Sequence, residues 1–533
     1  MAQVPIALGA AQFASPAPEV TLVGAFAQPF DNAVATARTC YAPRIISPAD
    51  VAKDPERRDR IARSTYEAGH HTTLQHAHFQ FSLARVSRQF LWSFLHAHPF
   101  YNSEQVSQRY VEVRAGTFAV PPLEGEARTL FEDTLAMQMA AYQRLIEHLT
   151  PAAGREYYRI FPARKNNDGG AKDIKKKAQE IARYVLPVAT YAHLYHTISA
   201  LTLLRYYRIC QQYDCPLETR LVVTRMVEEM LRHDPAFQTI LEEPLALEDT
   251  PEFRHYAAAG ETIDGALTPQ AAARARAFAA EFDAELGGKV SVLVGSKPGN
   301  QALVAQAVRE VVGAPRATLS DEAAIRLALD PAANPLHGQA MTLTTLSKLS
   351  RALGHAHYTF KKRLSHTADS QDQRHRMTPG SRPILLAHLT GEPDYTVPEL
   401  IKRSAAAETV YTDTMARAWD AIARLTVLGV PAEYVAYLLP NAVHVRFTES
   451  ADLLHLHHKL KARLCYNAQE EIWRASLDEV RQIRDVDPII ARYLLPPCGL
   501  RLMTTTRPIC PEGDKFCGVP VWKLRIDDYS RVI

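Results

Sequence analysis

Two short clusters carry the side chains best suited to holding an anion. Ser107, Gln108, Arg109 and Tyr110 close the stretch FQFSLARVSRQFLWSFLHAHPFYNSEQVSQRYVEVR (79–114) with an S-x-R-Y sequence. A hydroxyl and a guanidinium two residues apart suit a phosphate or a pyrimidine carbonyl, because the guanidinium is a planar, permanently charged fork. The second cluster, SHTADSQDQRHRMTPGSRP (365–383), carries Gln371, Arg374, His375 and Arg376. Three adjacent cationic side chains repel unless an anion or an electron-rich ring lies between them, so this triplet reads as a phosphate or cofactor contact. Taken alone, each cluster also reads as a solvated charged face, and Arg183 as a charge at a helix end.

Further on, HLHHKLKARLCYNAQEEIW (455–473) strings His455, His458 and Arg463 along a helix, with Asp452 one turn earlier. No carboxylate stands at metalloprotease spacing, so these residues read as nucleotide-facing polar groups. Four of the seven cysteines, Cys465, Cys498, Cys510 and Cys517, gather toward the end, with Gly499, Pro511, Gly513 and Gly518 supplying turns. Four thiolates could close a tetrahedral structural zinc and tie the C-terminal segment to the helix of Arg463. Their spacing is not a paired C-x-x-C pattern, and buried free thiols are the alternative.

The elements that must position these clusters occur twice. VTLVGA (20–25), AVATAR (33–38) and APR (42–44) are echoed by SVLVGS (291–296), VAQAVR (304–309) and APR (314–316). Each set reads as a strand followed by an amphipathic helix. HAHFQF (76–81) is echoed by HAHYTF (355–360), and RYVLP (183–187) by AYLLP (436–440). Echoes in the same order, at a spacing of roughly 250 to 280 residues, mean a duplicated domain and not a solenoid. The expected limits are 1–250 for the first copy, 251–287 for a spacer with a solvated Ala-rich helix, and 288–533 for the second copy.

Composition sets the outer bounds. At 533 residues, the chain exceeds what one core usually serves. Its 47% apolar and 22% charged residues are those of an ordinary globular protein. A formal charge of +3 is nearly balanced, which argues against a nucleic-acid-coating surface and for small ligands. The odd cysteine count points to reduced thiols rather than a disulfide framework. The N-terminal MAQVPIALGAAQFASPAPEV lacks a basic leading region and reads as a frayed leader of a cytoplasmic protein, and no later stretch suits a spanning helix.

Together the motifs resemble flavin-dependent thymidylate synthases, once per copy across nearly the whole chain. The hallmark is RHR followed by a Ser-rich loop ending in S-x-R-Y. Gly69 and His70 ahead of the strand 76–81, the R-x-V-L-P turn at 183–187, and Arg463 followed by AQEEI (468–472) fit the same pattern. The resemblance implies an α+β fold with a mixed sheet and long helices, FAD as cofactor, dUMP as substrate, methylenetetrahydrofolate as carbon donor and NADPH as electron source. The first copy has HAH (96–98) in place of RHR, and the second has TPGSRP (378–383) in place of S-x-R-Y and Ala436 in place of Arg183. Each copy has lost what the other retains.

Family members are homotetramers with sites between subunits, so this chain is expected to divide one composite site between its halves and to form a homodimer. In that reading Ser107, Gln108, Arg109 and Arg183 hold dUMP, and Gln371 and Arg374 close the pocket. Ser107 and Arg463 are the catalytic candidates. Arg374, His375 and Arg376 face the flavin, with His70, Asp452 and His458 at its edge. The alternatives are an inactive relative that binds nucleotide or flavin, and a flavoenzyme acting on another pyrimidine nucleotide.

Overall fold

The computed structural model describes residues 13–98, 100–166, 170–212, 214–261, 265–339 and 346–533. Most of the expected N-terminal leader lies outside them. Among the described residues no helix is long and apolar enough to cross a membrane.

Two small sheets mark the two halves. The first has the order β1-β2-β4-β3, with β1 Glu19–Ala25, β2 His78–Ser87, β3 Asn102–Gln105 and β4 Tyr191–Ser199; the second has the order β5-β6-β7, with β5 Ser291–Ser296, β6 His357–Ser365 and β7 His444–Asp452. Every pairing between these strands is antiparallel, where a mixed sheet was expected. In an antiparallel sheet one face packs on helices while the other stays partly wet, which fits the alternating burial of β2 and β4. The register shows the repeat directly: Phe81 pairs with His196 in the first sheet, and Phe360 with Glu449 in the second. β2 carries a register shift between Leu83 and Val86, and Arg85 there takes a left-handed φ of 54°. Such a bulge lets the chain hold one extra residue without moving the strand ends.

The halves join through a two-fold-like crossing at the VLP and LLP turns. Val188 N donates to Leu439 O at 2.9 Å, and Asn441 N to Leu186 O at 2.8 Å; Ala189 N and Ala442 N donate likewise to Tyr437 O and Tyr184 O. The flanking side chains repeat the symmetry. Ser87 donates to Glu218 through its amide at 2.7 Å and its hydroxyl at 2.6 Å, and Tyr437 of the other half donates to the same carboxylate at 2.7 Å. Ser365 and Tyr184 hold Glu471 in the same way, the Ser365 hydroxyl at 2.6 Å and Tyr184 at 2.9 Å. These carboxylates are buried, so each survives only because its oxygens are fully engaged.

One hydrophobic core runs through this junction. It combines Phe79, Trp92, Tyr142 and Val227 with Leu364, Tyr411, Leu439 and Phe447. The helices Gly125–Ile160 and Ala405–Val427 pack on each other across it. A second core, built around Val304, Leu353, Tyr358, Leu460 and Trp473, lies wholly in the second half. The Ala-rich helix Pro269–Leu286 is not the solvated spacer expected. Ala272, Ala275, Phe282 and Leu286 are buried, and Asp283 pairs with Arg446 at 2.8 Å and Arg363 at 2.7 Å. Its small residues let the helix lie close against the second sheet.

Candidate functional site

The RHR triplet lies between two cavities lined by both halves. The first, of about 630 Å³, takes His78, His98 and Arg205 from the first half and His455, His457 and Lys461 from the second. The second, of about 640 Å³, takes Ser103, Glu104 and Tyr195 from the first half and Arg463 from the second. Tyr101, Arg374, His375, Arg376 and His458 line both. Ser365 caps the helix His366–Asp372 by accepting from Ala368 N, and the triplet follows immediately where that helix ends. The chain therefore leaves the second sheet through a short helix and delivers three cations to the seam between halves.

Each member of the triplet escapes repulsion differently. Arg374 pairs with Glu104 of the first half at 3.0 Å. Arg376 lies over the Tyr101 ring at 4.9 Å and reaches Asn102. Burial, with Arg463 and Lys459 nearby, pushes His375 well below the usual imidazole range, so it is neutral. Its Nε2 accepts from Arg463 Nε at 2.9 Å, while Arg463 Nη2 donates to Gln371 O at 2.9 Å. Arg463 is thereby fixed against the triplet by two directed bonds.

Ser107, Gln108, Arg109, Arg183 and Gln371 line neither cavity; Arg109 comes from the first half close enough for its charge to act on Arg463. Arg109 Nη2 donates to Asn467 O at 2.7 Å and its guanidinium lies 3.0 Å from Glu180. Ser107 Oγ accepts from Arg109 N at 3.2 Å. Gln108 is buried and accepts from Asn441 at 3.2 Å. Arg183 donates to Gln469 Oε1 at 2.9 Å, and Gln371 donates to the same oxygen. Gln469 thus joins a residue of each half. Burial raises the Glu180 carboxyl, but Arg109, Lys177, Arg183 and Arg531 outweigh it and hold it at about 2. Burial and the charges of Arg183 and Arg374 push Arg88 down to about 9. The field at the seam is strongly positive and suits an anionic ligand.

Sequence reasoning missed Arg88, Glu180, Asn441 and Gln469. Gln469 sits inside the AQEEI element already noted, whereas the others carry no local signal. Two expected flavin-edge residues do not reach the cavities. His70 borders a separate small pocket beside Phe30 and Tyr66, because the turn His71–His76 carries the chain past it before His78 enters the larger cavity. Asp452 caps the helix Leu453–Arg463, accepting from His455 N at 3.0 Å, and acts on the cavity only by holding His455. His458 does line both cavities.

The counterpart region of the first half is filled by side chains. Trp92 Nε1 donates to Asp369 at 2.8 Å, and Arg382 of the TPGSRP loop forms a two-pronged pair with the same carboxylate. The Trp92 ring packs on His96 and His366. Burial and Arg382 push His96 down to about 3, so it is neutral.

The four late thiols line one small cavity with Tyr466 and Phe516. They are free, and among the described residues no group of three or more His, Cys, Asp or Glu could hold a metal ion. Burial, with the neighbouring cysteines, pushes Cys465 up to about 11 and Cys498 up to about 12, so both are thiols at neutral pH. The zinc expectation is corrected accordingly: the thiols cluster, but not as an assembled tetrahedral set.

Comparison with known proteins places this geometry in context. Residues 21–236 and 292–489 each match the family described as "Thymidylate synthase complementing protein". A flavin-dependent thymidylate synthase of Clostridium tetani is 28% identical over 200 residues, covering 37% of this chain and 73% of that protein. One from Geobacter sulfurreducens is 31% identical over 170 residues, covering 31% of this chain and 70% of that protein. A solved UMP/dUMP methylase, PolB from Streptomyces cacaoi bound with 5-Br dUMP, is 22% identical, with 42% of this chain and 95% of that chain covered and a TM-score of 0.29.

Proposed function

The chain belongs to the thymidylate synthase complementing protein family, and on that premise we propose that it is a flavin-dependent thymidylate synthase with one composite site. It transfers the methylene carbon of methylenetetrahydrofolate to carbon 5 of dUMP, and NADPH provides the hydride equivalent that makes it a methyl group. The observation that carries the reading is that Arg109 of S-x-R-Y bonds to Asn467, four residues beyond Arg463, while Arg183 of the first half and Gln371 of the second share Gln469. The twice-matched family and the names of the relatives support it.

In this reading Arg109, Arg183 and Arg374 draw in the dUMP phosphate, while Ser107, Gln108 and Gln371 fix its orientation by hydrogen bonds. Arg463, immobilised by His375 and the Gln371 carbonyl, stabilises negative charge on a uracil oxygen. That charge makes carbon 5 nucleophilic without a cysteine. The residues of the larger cavity fit FAD: Leu336, Leu353 and Leu454 offer an apolar wall, and Arg205 and Lys461 offer charge for a diphosphate. Among the described residues Tyr101 Oη and His457 Nε2 are buried there without a hydrogen-bond partner, which a ligand would supply. Arg374, His375, Arg376 and His458 would face the flavin, and bound FAD would carry the reducing equivalents. No step passes through the thiol cavity. The working unit is a cytoplasmic homodimer whose four domains stand in for four subunits, with domain limits of 1–250 and 288–533; a light-scattering mass of one chain overturns the dimer.

One observation favours a second reading, binding without methyl transfer: Arg109 is already ion-paired to Glu180 and Arg183 already bonded to Gln469. Tritium release from dUMP labelled at carbon 5, with the folate and reduced FAD present, separates the two. Release above the protein-free control is expected. Bound FAD and dUMP with no release leaves only the second reading.

A further inference from the structure

Behind the triplet lies a set of charges that the proposed reaction does not use. Lys362 on β6 lies 2.8 Å from Glu449 and 2.6 Å from Glu479, and Lys459 lies 2.7 Å from Asp372 and 2.5 Å from Glu449. None of the five is more than 1% exposed. Burial works against the Lys362 ammonium, but Asp372, Glu449 and Glu479 outweigh it and hold it well above its usual range. One oxygen each of Asp372, Glu449 and Glu479 has no hydrogen-bond partner among the described residues.

Such a set is a poor device for stability alone. Withdrawing ions from water costs several kcal/mol each, and replacing a buried ionic group by well-packed apolar residues is often neutral or stabilising. The first half demonstrates an uncharged, largely aromatic solution on the same fold. Strand register and the shared Ser and Glu caps put Leu83, Phe94, His196, Tyr206 and Met226 at the five positions. There Phe94 packs on Tyr206 at 4.4 Å and on His196 at 5.1 Å.

Location supplies the reason for the charges. Asp372 ends the helix that precedes Arg374, and Lys459 lies one turn before Arg463 on the other helix. We propose that these five residues form a buried ionic anchor that positions the triplet, tying the segment of Gln371, Arg374 and His375 to the helix of Arg463. They are positioning residues, and the consequence for catalysis rests on the proposed function. Directional ion pairs fix the relative placement of two helices more tightly than apolar contacts that can slide. The first half, without the triplet, has no use for such a lock.

The test transplants the first half's solution: Lys362→Leu, Asp372→Phe, Glu449→His, Lys459→Tyr and Glu479→Met together. A second variant, Lys459→Met with Asp372→Asn, removes one charge of each sign. Amide hydrogen exchange, thermal melting, and titrations with FAD and with dUMP are read on the full chain. In the folded variants, exchange across 371–376 should accelerate about tenfold or more while the first-half core keeps its protection. Dissociation constants for FAD and dUMP should rise about tenfold or more, because small misplacements weaken directed contacts steeply. If the five-residue variant does not fold, the double variant decides by the same readouts. Parent-like exchange at 371–376, or acceleration spread equally over both halves, overturns the anchor. If the parent binds neither FAD nor dUMP, the proposed function falls while exchange still decides the anchor.

Discussion

His196 faces Phe81 in the first sheet, where Glu449 faces Phe360 in the second. Around His196 the neighbours are aromatic; around Glu449 they are lysines and carboxylates. The scaffold beneath is nevertheless the same, down to a serine, a glutamate and the other half's tyrosine in each copy. The fold constrained the caps and the crossing far more than the residues between them. The first half carries the hydroxyl and arginine loop, and Trp92 and His96 occupy its own triplet position, with Arg382 of the second half beside them. The second contributes the triplet and Arg463.

That asymmetry is broken most directly at its cations. Arg109→Ala should weaken dUMP binding by about 1.5–3 kcal/mol, because it removes a charge from a largely buried position, and Arg374→Ala by about 1 kcal/mol, because that side chain is exposed. His96→Ala should leave binding within about twofold, since its imidazole is neutral and packed. Calorimetric titration checks all three, and equal loss at His96 and Arg374 would show both positions in use. Because Arg109 and Asn467 meet in one chain, mixing the Arg109 and Arg374 variants should restore no activity; recovery would place the site across two chains.

The shared scaffold predicts a matched pair of smaller effects. Glu218→Gln and Glu471→Gln each turn a carboxylate, an acceptor of three donors at Glu218 and of four at Glu471, into a mismatched amide, at a cost of about 1–3 kcal/mol by denaturant unfolding. The two costs should be similar. Only Glu471→Gln should also weaken dUMP binding, since Tyr184 links Glu471 to Gln469. A large difference in the two stability losses breaks the claim of equivalence.

The smallest effect concerns the filled position. Burial pushes the Asp214 carboxyl up to about 7, although Leu385 N and Ser93 donate to it. A carboxyl raised in the folded state binds its proton more tightly there than in the unfolded chain. Its contribution is therefore fully present below the unfolded value near pH 4 and is lost as the pH rises toward 7. Asp214→Asn should melt close to the parent at pH 4 and above it at pH 8. Melting curves that stay parallel between these limits would contradict the buried, protonated state.

By itself the sequence determined the duplication, the strand and helix types near each echo, and the division of motifs between halves. These are read from local pattern: alternating burial in strands, caps ahead of helices, and charges too dense for a core. Tertiary structure alone decided which residues of the two halves touch, because contacts such as Arg109 to Asn467 and Arg183 to Gln469 join residues hundreds apart. It also decided that RHR is tolerable, through one carboxylate, one neutral imidazole and one aromatic ring that no spacing announces. His70 and the four thiols show the converse: a suitable residue type in a suitable motif reaches a site only if the backbone turns the right way. Nothing local marks the charged positions Lys362, Asp372 and Lys459 as buried, because burying a charge requires partners from distant elements, and only the folded chain brings those together.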